Sequence, residues 1–171
     1  MQLETARFLL RNLAIDDADA LNLIPSDREH MRFYPNPFSL EETEEWIARQ
    51  IAHMDRHGFA LLAVEDRATG EFLGNVGPTI QLVDGVDEVE LGWSITPRRA
   101  REGIATEAAL ACREWCFREL EAPHLIALVR PDNDPSRGVA ENVGMSVWKE
   151  TVHGSMDLPH LVYRLRRDEV S

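Results

Sequence analysis

Cysteine is scarce in this chain: it occurs twice in 171 residues. Cys112 and Cys116 stand four apart, and no nearby His or Cys completes a metal-ligand set around them, so they read as packing residues on a helix. Long apolar runs are absent, and nothing approaches the roughly 18 consecutive apolar residues that a membrane-spanning helix needs. The start Met1-Gln2-Leu3-Glu4-Thr5-Ala6 has no basic flank ahead of an apolar stretch, so no signal peptide is expected and a cytoplasmic protein is. Positive charge is also short: 18 Lys plus Arg stand against 30 Asp plus Glu, for a net charge of -12. Such a balance weighs against sequence-independent nucleic-acid binding, which draws its affinity from neutralising phosphates, and tilts weakly toward cationic partners such as amines. Internal repeats, low-complexity linkers and a second composition regime are missing as well. One domain over residues 1–171 is therefore expected.

The patterning that is present alternates strands with helices. A short strand is predicted at 7–12, and carboxylates at Asp16, Asp17 and Asp19 introduce a first helix through Leu21 and Ile24. Ser39-Leu40-Glu41-Glu42 has the form of a capping box, and Trp46, Ile47, Ile51 and Met54 follow at helical spacing until Gly58. Strands at 59–65, 71–83 and 88–96 are separated by the turn signals Arg67-Ala68-Thr69-Gly70 and Asp84-Gly85, which predicts an antiparallel meander. A helix at 105–120 buries Ala108, Ala109, Cys112, Trp115, Cys116 and Leu120. An apolar strand at 124–129, a helix started by Pro131 to Pro135 and ended by Gly144, and strands at 145–151 and 160–166 complete an α+β domain.

The segment from Glu88 to Leu110 is the most informative. An apolar strand runs through a basic, glycine-containing loop directly into a helix, and backbone N–H groups at a helix start have no intrahelical partner. They point at whatever sits above the helix start, where the macrodipole adds partial positive charge. Arg98, Arg99 and Arg101 bring whole charges to this place in an acidic chain. A pocket for a phosphate-bearing ligand is one reading, and a solvated basic turn is the other. Phosphate-loop nucleotide binding is disfavoured, because neither Gly-x-x-x-x-Gly-Lys-Ser/Thr nor Gly-x-Gly-x-x-Gly occurs.

This strand, the loop with Gly103 and Ala105, and the helix beginning Thr106-Glu107-Ala108 resemble the GNAT superfamily of acetyl-CoA-dependent N-acetyltransferases. The opening Leu3-Glu4-Thr5-Ala6-Arg7-Phe8-Leu9-Leu10-Arg11, the hairpin Gly70-Glu71-Phe72-Leu73-Gly74, Asn133-Asp134-Pro135-Ser136 and Glu141-Asn142-Val143-Gly144-Met145 resemble the branch containing the ribosomal-protein N-terminal acetyltransferases. The resemblance implies a mixed α/β fold: a central, mostly antiparallel sheet of six to seven strands flanked by about four helices. It also implies acetyl-CoA as cosubstrate, with no metal, and a primary amine as acceptor, either a protein N-terminus or a small molecule. Monomers and homodimers are both allowed.

By the same resemblance Trp93, Ser94 and Ile95 pair through their main chain with the pantetheine arm. Arg99, Arg101, Glu102, Gly103, Ile104, Ala105 and Thr106 form the pyrophosphate loop, and Asn133 hydrogen-bonds the pantetheine. The sequence departs from the family pattern at Ala100, where Gln or Arg is usual, and at Arg101, where Gly is common. Glu90 is the expected base and Ser136 the expected thiolate acid, since neither Tyr34 nor Tyr163 lies where many members place a tyrosine. A solvated sheet carboxylate and a helix-capping hydroxyl are the respective alternatives. Glu88 shares the side-chain parity of Glu90 and is a candidate acceptor contact. Phe33 and Tyr34 are candidate acceptor-pocket walls, with core packing as the alternative. The histidines, His30, His53, His57, His153 and His160 among them, form no metal spacing. A non-catalytic acyl-CoA-binding or regulatory domain remains the second reading of the whole.

Overall fold

Alternating side chains and tight turns make strands pair with their neighbours in sequence, and the first five strands do so in order. The computed structural model describes residues 1–24, 39–154 and 157–170. Its strands are β1 (Leu3–Glu4), β2 (Phe8–Asn12), β3 (Leu62–Asp66), β4 (Phe72–Val83), β5 (Val86–Ile95), β6 (His124–Val129), β7 (Ser146–His153) and β8 (Leu158–Arg166). They form one eight-stranded sheet in the order β1-β2-β3-β4-β5-β6-β8-β7. Pairing is antiparallel throughout except between β5 and β6, which are parallel. Eight strands exceed the expected six to seven because of β1, a two-residue strand too short to show a period. It forms on the open edge of β2, with Leu3 opposite Leu10.

The helices among the described residues are α1 (Ala18–Asn22), α2 (Leu40–His57), α3 (Ile104–Glu119) and α4 (Asp134–Asn142). The capping box of α2 forms as its sequence predicts: Glu42 N–H donates to Ser39 Oγ at 3.1 Å, and Ser39 N–H donates to the Glu42 carboxylate at 2.7 Å. Gly58, with φ of 79°, ends the helix in the left-handed conformation. No described helix is long and apolar enough to cross a membrane.

The two faces of the sheet carry separate cores. On one, α3 lays Ala108, Ala109, Cys112, Cys116 and Phe117 against Leu73, Leu91 and Leu125. Small side chains at 108 and 109 let the helix sit close, so a larger residue there would overpack the layer by about 1–3 kcal/mol. Burial pushes the Cys116 thiol up to about 12, and burial with the neighbouring Cys116 pushes Cys112 higher still. Neither is a nucleophile at neutral pH. On the other face α1 and α2 bury Leu21 and Ile47 against Ala63. Full burial of Ile47 contributes roughly 1.5–3 kcal/mol.

Candidate active site

A site opens where the parallel pair comes apart. The β5–β6 register is Glu90 opposite Ile126, and past this point β5 stays with β4 up to Ile95 while β6 follows β8. Just past this point the Leu128 N–H donates to Glu90 Oε1 at 3.3 Å. The far end of β5 is held against β4 by an unusually close approach: a Cβ on Gly74 would lie 2.1 Å from the Ser94 carbonyl oxygen. Only glycine fits there. A groove of about 650 Å³ fills the gap, lined by Trp93, Ser94 and Ile95 on one side, by Pro97, Arg99, Ala100, Arg101 and residues 103–106 below, and by Asn133 with Ser136 and Val139 of α4 opposite.

The loop beneath that groove is shaped by backbone conformation and clamped by ion pairs. Arg101 has φ of 67° and Gly103 φ of 75°, so the chain turns left-handed twice before α3 begins at Ile104. A non-glycine residue in that region costs about 1–2 kcal/mol. Ion pairs around the loop hold it in place. Arg99 reaches Glu71 at 2.7 Å, Glu102 at 2.8 Å and Asp66 at 3.4 Å, which ties the loop to the β3–β4 turn. Arg7 donates to the Glu102 carbonyl at 3.0 Å and pairs with Glu107 at 2.7 Å, fastening the first turn of α3 to the start of β2. Arg98 and Arg101 are exposed, and no ion pair to either occurs among the described residues. With Arg7 and Arg99 spent on carboxylates, Arg101 is the guanidinium lining the groove that is left for an anion there.

A second, smaller cavity of about 240 Å³ lies on the other side of the splay. Gln81, Glu90, Trp93, Leu128, Arg130, Asn133, Ser136, His153 and His160 contribute to its walls. Burial raises the Glu90 carboxyl above the ordinary carboxylate range, although hydrogen bonds from Gln81 and the Leu128 N–H pull it back partway. Burial lowers His160, whose Nδ1 sits 2.8 Å from the Leu158 carbonyl and therefore donates to it. Groove and cavity share three residues: Trp93, Asn133 and Ser136. Asn133 is the N-cap of α4, its Oδ1 accepting from Ser136 N–H at 3.2 Å. The cap therefore belongs to Asn133. Among the described residues the Ser136 side-chain hydroxyl makes no hydrogen bond, and it borders both spaces.

A family model described as an acetyltransferase (GNAT) domain matches residues 7–146, well over half of the chain. The chain belongs to the GNAT acetyltransferase family. It is 33% identical over 134 residues to the uncharacterized protein YkkB of Bacillus subtilis (strain 168), covering 78% of each chain. Among solved structures it is similar to an acetyltransferase from Agrobacterium tumefaciens str. C58, at 30% identity and a TM-score of 0.82, covering 97% of this chain and 94% of that one. The ribosomal branch is represented by RimL, a ribosomal L7/L12 alpha-N-protein acetyltransferase in complex with coenzyme A. It shares the fold at 16% identity and a TM-score of 0.80, covering 99% of this chain and 100% of that one.

For a GNAT chain, the structure brings together Glu90, Ser136, Trp93, Ser94, Ile95, Arg99, Arg101, Gly103, Ile104, Ala105, Thr106 and Asn133 around the two connected spaces. Glu102 and Glu88 are placed elsewhere. The Glu102 carboxylate is taken up by Arg99 and lines neither space. Glu88 is buried, with its Oε2 2.6 Å from His124 Nε2, and it too lines neither space, because its position two residues before Glu90 precedes the splay. Phe33 and Tyr34 lie outside the described residues. Sequence reasoning passed over Gln81, Arg130 and the clamping Arg7. The alternation in β6 is the signal that marks Arg130, which continues the side of Ile126 and Leu128, the side that faces Glu90.

Proposed function

We propose that the chain catalyses transfer of acetyl from acetyl-CoA to a primary amine by direct attack. The observation that carries this reading is the junction at Trp93, Asn133 and Ser136, where a long groove suited to a phosphate-ended thioester meets a small cavity containing a buried carboxylate. The pyrophosphate would rest on the N–H groups of the loop from Arg101 to Thr106, at the positive end of α3. The pantetheine would lie along the open edge of β5, as an added strand would. Glu90 takes a proton from the incoming ammonium, and the neutral nitrogen forms a bond to the thioester carbonyl carbon. The carbon–sulfur bond then breaks as the carbonyl re-forms. The departing thiolate takes a proton from the Ser136 hydroxyl or from water, and the nitrogen gives its second proton to the oxygen that supplied it, leaving a neutral amide and a free thiol. A carboxyl raised above its usual range is a stronger base once ionised, which suits Glu90 to this role.

Release of coenzyme A thiol in the presence of a panel of N-terminal peptides and small amines tests the reading. Thiol appears with at least one acceptor class, and Glu90→Gln lowers the rate by about 10²-fold or more. If acetyl-CoA binds but no acceptor releases thiol and Glu90→Gln changes nothing, the non-catalytic acyl-CoA-binding reading replaces this one.

A further inference from the structure

We infer that the smaller cavity is built for an amine that also bears a carboxylate, a free amino acid, with Arg130 receiving the carboxylate and Glu90 the ammonium. This rests on the transfer reading above and names its acceptor class. Arg130 is the guanidinium that lines this cavity, and it is loosely paired where the clamping arginines are tightly paired. Arg7, Arg11 and Arg99 each hold a carboxylate at 2.7 Å. Among the described residues Arg130 has only Asp132 at 3.9 Å, an exposed side chain held loosely. Its Nε is closed off from solvent and has no hydrogen-bond partner among the described residues. A buried guanidinium N–H left unmade is costly, and native proteins rarely keep one without a ligand or a function to satisfy it.

The surroundings define what would satisfy it. Arg130 lines the cavity with Glu90, His153 and His160, so one carboxylate and one guanidinium border the same small space. The charge of Arg130 reaches into it: burial first, then His153 and Arg130, lower His160 below the ordinary imidazole range. An ammonium drawn to Glu90 would leave Arg130 facing the remainder of the acceptor. A polyamine presents a second cation there, which Arg130 repels; a peptide N-terminus presents a neutral amide; an amino acid presents the planar anion that a guanidinium binds through two parallel bonds. At about 240 Å³ the cavity falls below the range of roughly 300–1,000 Å³ typical of drug-sized ligands.

The test compares free amino acids with their primary carboxamides, which differ only at the carboxylate, and with N-terminal peptides. Thiol release gives kcat/KM, and calorimetry on the protein saturated with coenzyme A gives acceptor binding without turnover. Free acids are expected to exceed their amides by about 100-fold in kcat/KM. Arg130→Gln should erase that preference, mainly through KM, and Arg130→Lys should restore part of it. Affinity for acetyl-CoA should not change in either. Amides or peptides used as well as acids, or a preference that survives Arg130→Gln, would overturn the assignment while leaving acetyl transfer intact. Acids that bind the wild type but not Arg130→Gln, with no thiol released, would keep the anion site and remove the transfer reading. If Arg130→Gln does not fold, the acid-against-amide comparison in the wild type and Arg130→Lys decides alone.

Discussion

The two sides of the splayed strand pair are built by opposite means. The groove side is made of backbone: two left-handed residues, a helix start and a strand edge, kept in position by arginines whose charges are already matched. The cavity side is made of side chains from β4, β5, β6, β7 and β8 and from Arg130 just past β6, whose charges are incompletely matched. A backbone site suits a ligand that is the same in every reaction cycle, because its recognition needs no side chain to be tuned. An under-satisfied polar cavity suits the variable partner and the proton transfer, because groups not yet paired are available to substrate.

Breaking the cavity at its base should have the largest effect. Glu90→Gln is expected to lower kcat by about 10²–10⁴-fold while leaving the acetyl-CoA affinity near wild type. Because burial raises this carboxyl, the wild-type kcat/KM should fall on its acid side at a pH above the ordinary carboxylate range, the activity being lost as pH drops and Glu90 takes up its proton. A profile that stays flat through that range would remove Glu90 from the chemistry.

The groove breaks instead at its backbone. Gly74→Ala would push a methyl group into the Ser94 carbonyl, destabilising the fold by roughly 3 kcal/mol and weakening acetyl-CoA binding with it, as read by urea unfolding and calorimetry. Gly103→Ala meets only the tip of Arg7 at 3.6 Å, so its left-handed φ alone sets the expense, about 1 kcal/mol. Equal losses at the two glycines would contradict the close-approach account.

A smaller effect sharpens the contrast. Arg101→Gly removes a side chain but suits the left-handed backbone, so Tm should hold or rise slightly. If its guanidinium contacts phosphate, acetyl-CoA affinity should nonetheless fall by roughly tenfold, and less so at high salt. Unchanged affinity would leave phosphate binding to the main chain alone. No effect at all is expected at Cys112 and Cys116: burial holds both thiols protonated, and a thiol reagent at neutral pH should label them only after unfolding.

The same division governs what could be read from the chain. Backbone features announce themselves through residue type and spacing, so the meander, the capping box at Ser39, the end at Gly58 and the strand–loop–helix at 88–110 were legible. Arg101 departs from the family's usual glycine yet adopts the conformation a glycine would take, since Arg7 and Arg99 clamp the loop around it. Side-chain features depend on which strands meet. Glu88 and Glu90 share a parity, and nothing local tells that the parallel partner leaves after Glu90, so that one lines the cavity while the other pairs with His124. Arg130 takes a side that the alternation of β6 marks, but the alternation does not mark the cavity it meets there. Its significance lies in the partner it lacks, which only the assembled sheet reveals.

The central claim is that groove and cavity communicate at Trp93, Asn133 and Ser136, so that acetyl passes directly from thioester to amine. Single-turnover transfer from acetyl-labelled coenzyme A measures this most directly. Thiol release should require the acceptor, and the label should appear on the amine with none retained by the protein. Label bound covalently to the chain, or thiol released equally fast without an acceptor, would contradict the account.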